Sequence, residues 1–181
     1  ADRVTGGGIL LGWHLGPPRT WLTLRAHGWP VVATTRRAPV EGTTLASWMA
    51  DGSVVHVPLG DAEGRVQGLY RLRKVLAADG LVYMQADGPS GTELLRLDVP
   101  GRPVVRTGWF RLRRTLACPV YPVFAARTDG RTRVEVHGAL PPPLEDEAAD
   151  LAACRSALSS LVGAYVRAHG DQCRYLAFPD W

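Results

Sequence analysis

The chain has 181 residues, of which 46% are apolar and 21% charged, an ordinary globular usage at a length that suits one domain. No apolar run of about 18 residues or more occurs, which excludes a transmembrane helix in this sequence. The net charge is +4 and Lys74 is the sole lysine, so the basic balance rests on arginine. Arginine suits forked contacts to phosphate and carboxylate, which points to anionic partners such as phospholipid head groups, a phosphopantetheine carrier or nucleic acid. A solvated arginine-rich surface accounts for most of these side chains.

The start, Ala1-Asp2-Arg3-Val4-Thr5, lacks the charged-then-apolar pattern of a signal peptide. There is no initiating Met, which fits a chain trimmed at its N-terminus. Cys118, Cys154 and Cys173 are odd in number and form no CxxC pair. They argue against a disulfide framework or a zinc site and fit a reducing compartment. Cys118, beside Val120, Tyr121 and Val123, reads as a small buried apolar residue.

In chain order, Gly8 to Trp13 is a short apolar run bounded by glycine, as in a buried strand. His14-Leu15-Gly16 follows. Pro17-Pro18 suits the first turn of a helix that Trp21, Leu22 and Leu24 continue and Gly28 ends. Val31 to Ala33 is a second strand. Residues 34–52 leave two readings open, with a short helix over Leu45 to Ala50, and Val54 to Pro58 is a brief strand. Gly64 to Ala78 is expected as a helix, with Val66, Leu69, Leu72 and Leu76 as its apolar stripe and Gly80 as its stop.

Leu81 to Gln85 is a strand, and Asp87-Gly88-Pro89-Ser90-Gly91 is a turn. Thr107 is a candidate cap for a helix carrying Trp109, Phe110, Leu112, Arg113 and Leu116. Pro119 to Ala125 is a strand. Thr128-Asp129-Gly130 then marks a hairpin, because Arg131 to His137 alternates polar and apolar residues. The last helix carries Leu151, Cys154, Leu158, Leu161 and Tyr165 at a 3.6-residue period. Its acidic start (Glu145, Asp146, Glu147, Asp150) and basic end (Arg167, His169) complement its dipole. Alternating strands and helices predict a single-domain α/β fold over residues 1–181. Its sheet should be mixed and partly parallel, flanked by helices, with the hairpin as its antiparallel part.

Open parallel sheets bind ligands beyond the carboxyl ends of their strands. Two polar residues fall there: His14 after the first strand and Asp87 after Gln85-Ala86. A histidine beside a carboxylate can deprotonate a hydroxyl, because the imidazole takes the proton and the acid orients the ring. Taken singly, a histidine at a strand end is more often structural and an aspartate before Gly-Pro more often a turn former. Gly6-Gly7-Gly8 precedes a strand, whereas a dinucleotide fingerprint follows one. Gly88-Pro89-Ser90-Gly91 is not a nucleophile elbow. Arg96, Arg102, Arg106, Arg111, Arg113 and Arg114 with Trp109 and Phe110 mimic a nucleic-acid stripe, but at helical spacing these aromatics read as core.

The run Gly8 to Gly16, with its Trp13-His14-Leu15-Gly16, resembles the first block of the bacterial lipid A and phosphatidylinositol-mannoside acyltransferase family, within the lysophospholipid acyltransferase superfamily. Val82 to Gly91 is similar to that family's later strand-and-turn block. Gly101-Arg102-Pro103, Gly108 and Leu116 to Phe124 resemble the segment that follows it. The shared order of these motifs is the stronger argument. The resemblance implies a glycerolipid-acyltransferase-like fold and transfer of a fatty acyl group from acyl-coenzyme A or acyl carrier protein, as co-substrate, to a hydroxyl of a lipid or glycolipid.

It also implies His14 as general base, with no metal and no further cofactor. In the family an acid stands five positions after the histidine; here that position is Arg19. The resemblance makes Asp87 the substitute acid and Arg19, Gly88, Ser90 and Arg102 the substrate-binding candidates. The alternatives are a degenerate member that binds lipid or carrier protein without catalysis, which Arg19 favours, and, behind both, a nucleic-acid-binding domain supported by charge alone. The expected location is cytoplasmic, peripheral on the inner face of the plasma membrane. Trp13, Trp21 and Trp29 with Arg25, Arg36 and Arg37 are the expected interfacial cluster.

Overall fold

The computed structural model describes residues 4, 6–17, 20–58, 61–87, 94–100 and 104–173. It is one α/β domain built on a mixed, mostly parallel six-stranded sheet in the order β3-β2-β4-β1-β7-β8. The strands are β1 (Gly8–Gly12), β2 (Val31–Thr35), β3 (Val54–His56), β4 (Leu81–Gln85), β7 (Val120–Thr128) and β8 (Arg131–Val136). The first five are mutually parallel, and β8 returns antiparallel along β7. Asp129 and Gly130 turn the hairpin with φ of 52° and 74°, the backbone that Asp-Gly favours in a two-residue connection.

Helices cover both faces. Helices α1 (Thr20–Ala26) and α2 (Thr44–Ala50) lie on one, against Leu10, Val31, Tyr83 and Val123. Helices α3 (Ala62–Ala77), α4 (Gly108–Leu116) and α5 (Glu147–His169) lie on the other, against Ile9, Leu11, Val82 and Phe124. Covered on both faces, β1 is buried at every residue, so it reads as a continuous apolar run rather than an alternation. Val134 and Val136 of β8 do alternate and pack on the α1 side.

Two local signals misled the sequence reading. The buried face of α3 runs through Gly68, Leu72 and Leu76, whereas Val66 and Leu69 stand in solvent. The cause is Gly68: a Cβ there would fall 2.5 Å from the His56 carbonyl oxygen, so the helix seats on β3 through a residue that carries no apolar signal. The helix ends at Ala77 with Ala78 as its cap, and the left-handed residue that follows is Asp79, at φ 55°, one residue before the expected Gly80. The second is a short antiparallel ribbon, β5 (Leu94–Arg96) with β6 (Val104–Arg106), inserted between β4 and α4 and unforeseen among the arginines of that stretch.

Helix α5 is fixed by charge as well as by packing. Arg113 of α4 is only 1% exposed and donates to Asp150 at 2.8 Å, to the Pro141 carbonyl oxygen and to Cys154 Sγ. Arg114 holds the other Asp150 oxygen at 2.8 Å. Asp150, read from sequence as one of the acids that complement the helix dipole, lies in the first turn and is also a fully buried counter-ion, and Asp146 caps the helix. Removing one partner of a buried pair strands a charge, which costs about 3–5 kcal/mol. Asp150→Ala is expected to lower stability by that amount in chemical denaturation, and Arg114→Ala, whose side chain is part exposed, by clearly less.

Candidate active site

Strand β1 pairs with β4 in register from Gly8↔Leu81 to Gly12↔Gln85. The pairing continues one step further, where the Ala86 amide donates to the Gly12 carbonyl oxygen at 2.8 Å. The next residues on the two chains are Trp13-His14 and Asp87. The expected placement of His14 and Asp87 beyond the carboxyl ends of neighbouring strands is therefore what the structure shows.

The two residues make a compact clamp. The His14 backbone N–H donates to both Asp87 oxygens, at 2.9 and 2.8 Å, and the ring Nδ1 lies 2.9 Å from Oδ1. A carboxylate can only accept, so Nδ1 carries the proton and Nε2 is the basic nitrogen. The side chains are 28% and 12% exposed, so the pair is partly shielded yet reachable. The hydrogen bond to Asp87 raises the His14 pKa above its ordinary 6.5; burial opposes this and the Asp87 charge adds to it.

The chain around His14 is held from three sides. Trp13 is buried and stacks on Phe124 at 5.7 Å between ring centroids, and Phe124 stacks in turn on Tyr165 of α5. This removes Trp13 from the expected interfacial cluster. Trp21 is half-buried edge-on against Trp48, and Trp29 packs beside it on the same core. Gly16 turns the chain back at φ 87°, and a Cβ there would lie 2.1 Å from the Ala125 carbonyl oxygen. Gly12 leaves room for Tyr83, whose hydroxyl would be 1.9 Å from an added Cβ. Burial raises the Tyr83 pKa strongly, while a hydrogen bond with Thr20 acts against it, so the phenol stays neutral beneath the site.

Sequence reasoning missed the contribution of Arg106. Its amide donates to the Ala86 carbonyl oxygen at 2.7 Å, next to Asp87. Arg36, just past β2, has its pKa lowered first by burial and then by the charge of Arg106. Two guanidinium groups thus share the sheet edge that carries His14 and Asp87. The ribbon strand β6 that brings Arg106 there is too short to leave a periodic signal. Arg19, Gly88, Ser90 and Arg102, the substrate-binding candidates, lie outside the described residues.

No protein-family model matches the chain, and no curated protein matches it significantly.

The pair has a thermodynamic signature. A raised histidine pKa adds stability in full below the unfolded value, near 6.5, and loses it as pH rises through the folded value. The stability gap between wild type and Asp87→Asn should therefore narrow as pH rises through the folded pKa. In an NMR titration the His14 ring should titrate above 6.5 in the wild type and shift downward in Asp87→Asn. Separately, Gly16→Ala is expected to destabilise by about 1–3 kcal/mol, read as a lower denaturation midpoint, because its methyl meets both the Ala125 backbone and the buried Tyr165 hydroxyl.

Proposed function

We propose that the chain is an acyltransferase that moves a fatty acyl group from acyl-coenzyme A or acyl carrier protein to a hydroxyl of a lipid or glycolipid. The observation that carries this reading is the His14–Asp87 clamp at the carboxyl edge of the parallel sheet. It supplies a base and an orienting acid, although the position where the resembled family keeps its acid holds Arg19.

The chemistry follows from the geometry. Asp87 fixes Nδ1 as the protonated nitrogen. Nε2 takes the proton of the acceptor hydroxyl as its oxygen attacks the thioester carbonyl carbon. Asp87 stabilises the imidazolium that forms. The tetrahedral intermediate collapses by breaking its carbon–sulfur bond, and the departing thiolate takes the proton from Nε2. An ester and a free thiol result, and His14 is again neutral. Arg36 and Arg106 give this edge the positive charge that suits a phosphate-bearing donor or acceptor.

The degenerate reading drew its motive from Arg19. A partner for His14 supplied from β4 weakens that motive, because a base needs one well-placed carboxylate and its origin along the chain is immaterial.

The reading is tested by incubating the protein with acyl-coenzyme A and acyl-carrier donors and hydroxyl acceptors, and following thiol release by mass spectrometry. Acceptor-dependent release is expected. His14→Ala should lower it by on the order of 10²–10⁴, and Asp87→Asn by a comparable factor. The double variant should be little worse than His14→Ala alone, because residues acting as a unit are non-additive. The rate should rise with pH through the His14 pKa, since only the neutral ring is a base. Full activity in His14→Ala, or no transfer from any donor, would return the chain to the binding-only alternative.

A further inference from the structure

The outward side of α3 carries an apolar strip that the fold does not use. Val66, Leu69 and Tyr70 are 65%, 40% and 57% exposed, three of the five large hydrophobic residues that stand in solvent among the described residues. They are spaced so that one face of the helix presents all three, with Arg73 next on that face. The adjoining face, through Gly68, Leu72 and Leu76, is the one seated on the sheet. Isolated exposed apolar residues are ordinary, but a strip of three on one helix face marks a contact surface.

The charge around the strip is predominantly positive. Arg65, Arg71, Arg73 and Lys74 are all exposed on this helix, and Glu63 is its single acid. Glu63 accepts a hydrogen bond from Gln67, and Lys74 Nζ lies 4.8 Å from the centre of the Tyr70 ring. An apolar strip flanked by cations is complementary to an anionic lipid surface, where hydrocarbon lies below and phosphate above. Position supports the same occupant. Helix α3 follows β3, which runs parallel to β1 and β4, so its first turns begin at the edge where His14 and Asp87 sit.

We infer that the Val66–Leu69–Tyr70 face of α3 is the surface by which this protein lies on an anionic membrane, bringing the His14–Asp87 edge toward lipid. The inference does not depend on the proposed acyl transfer. It is separate from the tryptophan cluster expected from sequence, whose first member, Trp13, is core.

Co-sedimentation of the full chain with vesicles of phosphatidylcholine, with and without phosphatidylglycerol, tests it. Wild type should bind the anionic vesicles preferentially, and added salt should weaken binding. Arg65→Ala with Arg73→Ala should lower the partition coefficient on the order of twentyfold, about fivefold per cation. The triple variant Val66→Ser, Leu69→Ser, Tyr70→Ser should lower it by roughly tenfold or more. Because these side chains are exposed, the variants should keep the wild-type thermal midpoint. They should also keep wild-type turnover of a water-soluble thioester and acceptor, a readout that His14→Ala alone abolishes and that separates this face from the catalytic proposal. Equal binding to neutral and anionic vesicles, or wild-type binding by the triple variant, would overturn the inference. So would a concentration-dependent dimer in light scattering that the triple variant abolishes, since the face would then belong to a second copy.

Discussion

The parallel register between β1 and β4 is the constraint on which the site depends. The offset that pairs Gly8 with Leu81 is 73 residues, and the same 73 residues separate His14 from Asp87. His14 and Asp87 are in effect the ladder's next-but-one rung, formed after the backbone pairing ends. A slip of β4 by one residue would displace the carboxylate by about 3.3 Å and turn that strand's side chains to the opposite face. Val82 would then exchange sides with Leu81 and Tyr83, and both cores would be disrupted together. The packing that fixes the sheet therefore fixes the clamp.

That register is secured from both faces. On one side the Trp13, Phe124 and Tyr165 rings run from the residue before His14 through β7 to α5. Helix α5 is held in turn by the buried Arg113–Asp150 pair. On the other side Tyr83 fills the space above Gly12 and meets Thr20 at the start of α1. The short segment from Trp13 to Gly16 thus leaves the sheet along one path. Gly12 and Gly16 are needed there because side chains at those points would occupy space taken by Tyr83 and by the β7 backbone.

What the sequence disclosed, and what it hid, divides along physical lines. The main strands and helices α1, α3, α4 and α5 were legible because each buries a face or a whole run, and burial is written in apolar residues; α2, with no fully buried residue, stayed one of two readings. The meeting of His14 with Asp87 was legible because both follow a strand, and parallel strands bring their carboxyl ends to one edge. The buried face of α3 was misread because a glycine does its packing. The pairing of Asp150 with Arg113 was not foreseen because a buried ion pair is made of the same residues as a solvated one. The β5–β6 ribbon, with three residues in each strand, is too short to show a period. Trp13 was ambiguous for the opposite reason, since tryptophan suits a core and an interface equally well.

The position of Asp87 just past a neighbouring strand has a mechanical consequence. Asp87 accepts from the His14 backbone amide as well as from its ring. The amide bond is indifferent to the protonation state of the imidazole, so the carboxylate is held in place whether the ring is neutral or charged. In the proposed reaction the imidazole gains and loses a proton each turnover while its partner need not move, which is the condition for stabilising a developing charge without reorganisation. An acid positioned only by the ring would lack that second tether. The neighbouring strand supplies it because the amide that follows the end of β1 points at the chain that leaves β4, and the fold provides the donor before any chemistry begins.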